Sequence, residues 1–371
     1  MRMKVAHLSP HRDPFSPRMF SQAKSFVETG HDAVIVAPHP MDETRHGVRV
    51  LGIERYKNKL ERITITCWRC VRRAMQEKPD IYHLHEPDLI PLGLMLRLLG
   101  KRVVYDVHED YAAAATVRRW LPDWARRPLA GFVHTVNWLA QRSFTVIIAE
   151  RYYERFFPGS VQVLNYARLR EYEGLQTIQR KAPPAARMLY TGSVTDVRGG
   201  RHHARLLEHL PADAEVMLIG QCPMPDLKTE LETMAASDSR LKLVLSEGWI
   251  PRDTIAETYQ QDWTCGLALF PDTPHYREKE LTKFFEYMAA GIPIIASDFP
   301  VWRQLIEGEG VGLCVDPEDP KAAANAIAWL VAHPEEACEM GERGRQAVAS
   351  TYNWGSQAKR LIDLYQTMLQ P

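Results

Sequence analysis

The chain lacks any excess of charge of one sign: its 371 residues carry 46 Lys and Arg against 46 Asp and Glu. That balance, with a pI of 7.2 and no nucleic-acid recognition motif, argues against a nucleic-acid-binding protein. Long apolar runs are also missing. The best candidate, residues 90–100, falls short of the roughly 20 residues that a spanning helix needs, and Arg97 interrupts it. No secretory signal is expected, because Met1-Arg-Met-Lys4 leads directly into a strand pattern. The six cysteines are scattered, and Cys222, Cys265 and Cys314 lie in or beside apolar strand-like segments. This usage excludes a disulfide framework and suits a reduced, cytoplasmic setting. Cys67-Trp-Arg-Cys70 is a C-x-x-C in a basic helical segment rather than after a strand, so a structural role is expected, not a redox one. Short-period repeats and low-complexity tracts are absent.

What is present is an alternation of short apolar strands with helical segments, twice over. Residues 4–9, 33–37, 81–85, 102–107 and 144–149 read as buried strands, with helices over 18–29 and 60–76 among the segments between them. Residues 188–191, 215–219, 241–245, 265–270, 292–296 and 311–315 form a second series, with helices over 201–210, 283–290, 320–332 and 335–350. The pattern predicts an α/β protein with two Rossmann-like doubly wound domains facing each other across a cleft. The expected boundaries are 1–168 for the first domain and 183–352 for the second, with a final helix over 353–371 returning to the first. Charge is divided between the halves: 27 basic against 17 acidic residues in 1–170, and 19 against 29 in 171–371. A basic first half suits an anionic neighbour, or attraction between the domains. Two segments that mix arginine with tryptophan, 69–73 with Trp68 beside it and 118–127, suit an anionic membrane surface.

The densest chemistry lies in Glu278-Lys-Glu-Leu-Thr-Lys283-Phe-Phe-Glu286-Tyr-Met-Ala-Ala-Gly291-Ile-Pro-Ile-Ile-Ala-Ser297. Two carboxylates stand eight residues apart with a lysine between them: Glu278 on a loop before a short helix, and Glu286 on that helix, which ends at glycine. Thr282 is the expected N-cap. Glu286 lies one turn inside, on an open side if Phe285 and Met288 face the core. A carboxylate accepts hydrogen bonds from sugar hydroxyls, and a lysine at a helix N-terminus attracts a diphosphate. A second loop, Gly192-Ser193-Val-Thr-Asp-Val-Arg198-Gly199-Gly200, leaves a strand and enters a helix. Gly192 permits close backbone approach and Arg198 pairs well with phosphate oxygens. In the first half, His83-Leu-His85-Glu86-Pro-Asp88 and Asp106-Val-His108-Glu109-Asp110 end two predicted parallel strands, where ligands bind in open α/β sheets. Histidines and carboxylates together also suit a metal, but their spacing matches no metal motif. His202-His203 reads as a surface pair.

The second half resembles the retaining glycosyltransferases of family 4, which have the GT-B fold. The resemblance rests on Glu278…Glu286-Tyr-Met-Ala-Ala-Gly-Ile-Pro-Ile-Ile-Ala-Ser297, Gly192…Arg198-Gly199, Gly248-Trp249-Ile250-Pro251, Gly312-Leu-Cys-Val-Asp-Pro317 and Tyr352-Asn-Trp354. It implies that Glu286 holds ribose hydroxyls, that Glu278 contacts the donor sugar, and that Arg198 with Lys283 neutralises the leaving diphosphate. Gly192 and Ser193 would line the phosphates, and Gly248, Trp249 and Ile250 the base. His108 matches a family histidine near the donor sugar, where it would support charge in the transition state. Departures are visible. Ser193 stands where the family has arginine, Lys279-Glu280-Leu281 replaces a Gly-Phe-Gly, Glu280 rivals Glu278, and no glycine-rich loop follows the first strand.

The expected activity is transfer of a sugar from a nucleotide diphosphate sugar to a hydroxyl acceptor with retention, in cell-surface glycan or glycolipid synthesis. A lipid-linked or polysaccharide acceptor fits the basic first half, with a soluble metabolite as the alternative. No metal or other cofactor is expected, and the location would be cytoplasmic or peripheral at the inner face of a membrane. The alternatives are a non-catalytic nucleotide-sugar-binding partner subunit, or another GT-B enzyme such as an epimerase or phosphorylase.

Overall fold

The computed structural model describes residues 2–108, 123–166, 173–176, 181, 183–248, 250–273 and 276–370. Trp249 and most of the arginine- and tryptophan-bearing stretch 118–127 therefore lie outside the described residues or side chains. The chain divides into two compact units, Met1–Asn165 with Ser356–Pro371, and Tyr166–Gly355.

The first unit is built on an eight-stranded sheet of order β3-β4-β2-β1-β5-β6-β7-β8. Its strands are β1 (Lys4–Leu8), β2 (Asp32–Pro38), β3 (Glu43–Arg45), β4 (Val48–Ile53), β5 (Ile81–Leu84), β6 (Arg102–Val107), β7 (Thr145–Ile148) and β8 (Val161–Gln162). All pairs are parallel except β3 with β4. The sequence reading passed over that hairpin. Its edge strand, Glu43-Thr-Arg45, is polar, and its turn is made by His46 and Gly47, both at positive φ (49° and 77°), the conformation a tight hairpin needs.

Side chains alternate across each strand, so the parity of the sequence sorts them by face. Ala6, Leu8, Tyr82, Leu84, Val103, Tyr105 and Val107 join the apolar core on one face. His7, His83 and Asp106 therefore point to the other. The register sets His7 beside His83. Helices Pro17–Glu28 and Trp354–Leu369 supply Gln22, Phe26 and Tyr365 to that face. The predicted helix 60–76 is interrupted: Lys59–Glu61 passes through a π-helical turn, Arg62–Thr66, before Cys67–Gln76.

The second unit has a six-stranded, wholly parallel sheet of order β11-β10-β9-β12-β13-β14. Its strands are β9 (Arg187–Thr191), β10 (Glu215–Gln221), β11 (Leu241–Ser246), β12 (Cys265–Ala268), β13 (Ile294–Ser297) and β14 (Gly312–Val315). Helix Thr282–Ala290 is buried over Lys283–Phe285 and Tyr287–Ala290. It ends at Gly291, whose φ of 68° needs glycine. Helix Pro334–Ser350 packs on it through glycines: a Cβ on Gly341 would come within 2.3 Å of the Gly291 carbonyl oxygen.

Three local expectations are corrected. Leu281, not Thr282, is the N-cap of helix Thr282–Ala290, and no side chain caps it. The segment 201–210 is a short α-helix, Gly200–Arg205, followed by a 3-10 turn, Leu206–His209. His203 is not on the surface; it is fully buried, packs its ring at a 34° tilt against Tyr190 with centroids 4.4 Å apart, and accepts a hydrogen bond from the Leu269 N–H at 3.0 Å.

Candidate functional site

In the second unit the strand order reverses at β9: β10 and β11 lie on one side of it, and β12, β13 and β14 on the other. The carboxyl ends of β9 and β12 thus form a switch point, where parallel sheets open a crevice. Gly192 follows β9 with φ of 108°. Its carbonyl oxygen would sit 1.8 Å from a Cβ on Gly220 near the end of β10, so Gly220 must stay bare for the backbone to pass, while Gly192 is required by its positive φ. The loop continues through Ser193, whose carbonyl accepts from the Tyr190 hydroxyl at 2.7 Å, to Arg198. Gly199 adopts φ of 72°, with the Leu269 carbonyl 1.9 Å from where its Cβ would be. These contacts lock the β9 loop against the segment after β12.

Lys283 projects into this place from the first turn of its helix. It is 7 % exposed, and its Nζ has no hydrogen-bond partner. Nζ lies 3.4 Å from the Tyr190 ring centroid and 5.0 Å from that of Phe270, and a Cβ on Gly192 would be 3.9 Å from it. Cation–π contact offers about 2 kcal/mol when desolvated, whereas stripping water from an ammonium costs several. Desolvation wins: burial, then the nearby Arg198 charge, push the Lys283 pKa well below the ordinary lysine value, against the pull of Glu286. Arg198 donates from Nε to the Tyr276 hydroxyl at 3.0 Å. Tyr276 in turn packs edge-on to Phe270, so both cations converge on one aromatic cluster.

Glu286 is the one residue from Lys283 to Ala290 that is not buried, with Phe285 and Met288 turned to the core. Its Oε2 accepts from the Tyr259 hydroxyl at 3.1 Å, and Tyr259 is joined to Thr191 Oγ1 at 2.8 Å. Glu278 is exposed in the turn ahead of the helix, and Glu280 is half-buried. Gly248 is exposed and Ile250 half-buried, just before helix Arg252–Gln260, which carries Tyr259. Gly192, Arg198, Lys283 and Glu286 are thus tied to one crevice by contacts or charge coupling, and Glu278 stands in the turn ahead of the helix that carries the last two. Sequence reasoning missed Tyr259, Gly220 and Tyr276. Their signals were faint: a tyrosine near a helix end, a glycine closing a strand, and an aromatic before Glu278.

In the first unit the buried face of the sheet holds a cluster of histidines around one carboxylate. His108 Nε2 lies 3.1 Å from Asp106 Oδ2 and 3.2 Å from His85 Nδ1, and His85 Nε2 is 2.9 Å from His7 Nδ1. His83 Nδ1 meets the Tyr365 hydroxyl. Arg18 clamps Asp106 at 2.7 and 2.9 Å, and Gln22 adds a bond at 2.8 Å. Burial alone would raise the Asp106 carboxyl, but Arg18 and His108 outweigh it and hold its pKa well below the carboxylate range. Burial lowers the pKa of His108, His85 and His7, so the imidazoles are neutral near pH 7.

Two sets of these residues bring ligand-type atoms within 4.8 Å: His7 with His83 and His85, and His85 with Asp106 and His108. The rings of His83 and His85, however, stack parallel at 4.5 Å with 1° between planes. Lone pairs lie in the ring plane, so these two run side by side rather than toward one point. The Cys67 thiol is buried and pushed up to about 12, chiefly by burial, which suits a structural cysteine.

Two doubly wound units of this kind define the architecture, and solved structures share it. Sucrose-phosphate synthase from Thermosynechococcus elongatus superposes with a TM-score of 0.75, at 18% identity and 99% coverage of both chains. Anabaena HepE in complex with UDP gives 0.72, at 12% identity, covering 99% of this chain and all of that one. These likenesses establish the GT-B fold.

The sequence profile described as "Glycosyl transferases group 1" matches residues 179–347, and that of "Glycosyltransferase Family 4" matches residues 18–160. Together they take in most of the chain, which belongs to the glycosyltransferases of the family 4 type. A D-inositol 3-phosphate glycosyltransferase of Xylanimonas cellulosilytica is 25% identical over 48% of this chain and 41% of its own length. The phosphatidyl-myo-inositol mannosyltransferase of Mycobacterium tuberculosis is 24% identical over 78% and 74%. The chain thus spans about two-fifths of the first of these relatives.

Proposed function

We propose that this protein transfers a sugar, with retention, from a nucleotide diphosphate sugar to a hydroxyl acceptor. One observation carries the reading: Lys283 places its Nζ at the switch point, buried and without a hydrogen-bond partner. A buried amine is charged at least cost beside an anion, and a diphosphate against Gly192, Ser193 and the helix N-terminus supplies it. Arg198 takes the other side of that diphosphate. Glu286, held by Tyr259, accepts from the ribose hydroxyls. Gly248 and Ile250, with Trp249 between them, line the base, and Glu278 meets the sugar. HepE, of the same fold, has been solved with UDP and with UDP-glucose, which supports a nucleotide-sugar donor here.

In this mechanism the bond from the sugar to the diphosphate weakens first, and Arg198 and Lys283 stabilise the charge that develops. The departing phosphate oxygen takes the proton of the acceptor hydroxyl on the same face, which keeps the anomeric configuration. His108 adds a hydrogen bond to a substrate hydroxyl. No protein base and no metal are needed for these steps. The test is a thermal-shift screen with UDP-, GDP-, ADP- and TDP-sugars. A ligand at one hundred times its Kd adds about 2.7 kcal/mol. Stabilisation by one series that Lys283→Met abolishes supports the site; no stabilisation by any of them overturns it.

The acceptor side of the proposal is a membrane-associated glycan or glycolipid. Among the described residues no helix is long and apolar enough to cross a membrane. Around the π turn, however, Leu60, Ile63, Ile65 and Trp68 are 47–69% exposed. Arg55, Lys57 and Arg72 nearby make no ion pair among the described residues, whereas Arg62, Arg69 and Arg73 are paired to acids. Apolar side chains flanked by unpaired cations suit the surface of an anionic bilayer. Flotation with vesicles of phosphatidylcholine, with and without phosphatidylglycerol, tests this. Ile63→Glu should abolish co-flotation with the anionic vesicles, and absence of binding by the native protein refutes the surface.

A further inference from the structure

Asp106 is fully enclosed and held as a carboxylate by Arg18, so the groups in close hydrogen-bond range of its oxygens must donate. Arg18 and Gln22 do so, and the nearest remaining group on Oδ2 is His108 Nε2 at 3.1 Å, ahead of His83 Nε2 at 3.5 Å and His85 Nδ1 at 3.6 Å. That nitrogen therefore carries the proton. His85 Nδ1, 3.2 Å from the same N–H, must then be bare, because two N–H groups cannot face each other. This puts the His85 proton on Nε2, which donates to His7 Nδ1 at 2.9 Å. His7 is left with its proton on Nε2, a buried atom without a partner. A single carboxylate thus orders three imidazoles with the same polarity.

We infer that Asp106 is a positioning residue that holds His108 as the neutral imidazole protonated on Nε2, with Nδ1 left as a hydrogen-bond acceptor for a substrate hydroxyl. His108 Nδ1 makes no hydrogen bond among the described residues, and the ring is 8% exposed. Asp106 and His85 both hold the ring at Nε2, and the hydroxyl of Tyr153 holds the His108 carbonyl at 3.2 Å. Arg18 is occupied on every nitrogen, by Asp106, the Val163 carbonyl and Asn165, so the carboxylate cannot turn away. The role of Nδ1 toward substrate rests on the transferase reading above; the proton placement does not.

Long-range nitrogen–proton NMR of histidine-labelled full-length protein tests the inference directly, with His108 assigned by the signal lost in His108→Gln. The expected spectrum between pH 6 and 8 shows a pyrrole-type Nε2 and a pyridine-type Nδ1. In Asp106→Asn the carboxamide can donate to Nε2, and the proton should move to Nδ1. In His85→Gln the Nε2 proton should stay. A native His108 protonated on Nδ1, or one titrating like a free imidazole, overturns the inference, and this spectrum decides even if the Asp106 variant does not fold. Glu286→Ala should lose nucleoside diphosphate binding and leave the His108 spectrum unchanged. Failure of the donor site and failure of the histidine inference are therefore read separately.

Discussion

The Tyr259 hydroxyl donates to the Glu286 carboxylate at 3.1 Å. Thr191 Oγ1 completes the chain behind it at 2.8 Å, so Glu286 is aimed from the end of β9 through a phenol on a different helix. Tyr259→Phe removes one oxygen and no packing. A hydrogen bond to a charged group contributes about 1.5–3 kcal/mol, and part of that should appear as lost aim. Calorimetry with the preferred nucleoside diphosphate should show affinity falling about tenfold, which corresponds to 1.4 kcal/mol. Unchanged affinity would mean that Glu286 is not oriented by Tyr259.

Lys283 should take up a proton when its ligand binds. Its pKa is held below the ordinary lysine value by burial and Arg198, and an arriving diphosphate raises it again. Calorimetry in buffers of different ionisation enthalpy, stepped in pH up toward the ordinary lysine value, should show net proton uptake, lost in Lys283→Met. The sign for stability follows. Between its folded pKa and the unfolded value near 10.4, the unfolded chain binds more protons at this site, so its contribution to stability rises with pH. In the same window Lys283→Met should make the apo protein's stability less dependent on pH.

The Arg18–Asp106 pair should be expensive to break. Both partners are buried, and removing one leaves a charge uncompensated, at about 3–5 kcal/mol. Arg18→Met should lower the urea midpoint accordingly. Because the folded Asp106 pKa is depressed, its contribution to stability is complete above the unfolded carboxylate pKa of about 3.9 and fades as pH falls through the folded value. Stability followed from about pH 5 downward should therefore fall more steeply with pH for the native protein than for Arg18→Met.

Gly220→Ala tests the close passage of β10 against the β9 loop. Its Cβ would lie 1.8 Å from the Gly192 carbonyl oxygen, so backbone must move. The expected results are a loss of stability of about 1–3 kcal/mol, in line with other strained or overpacked sites, and a larger loss of nucleotide affinity. A variant with native affinity would show that the loop is not held where it stands.

Much of this architecture was legible because short apolar runs and helical periods alternate plainly. The Glu278–Ser297 string was legible because its residue types are ordered along one strand-helix-strand passage. Hairpin 43–53 was not, since a polar edge strand carries little alternation. His203 was misjudged because two adjacent histidines on a helix look alike until the Leu269 N–H and the Tyr190 ring single one out.

From the linear order of residues alone came the alternating elements, the glycine-ended helix and the ordered acids and cations, since these depend on neighbours within a few positions. Tertiary structure alone decided that Lys283 Nζ would be buried without a partner, that Tyr259 would reach Glu286, and that Arg18 would clamp Asp106. Those relationships join residues 27 to 93 positions apart through sheet order and helix packing, and desolvation depends on what surrounds a group in space.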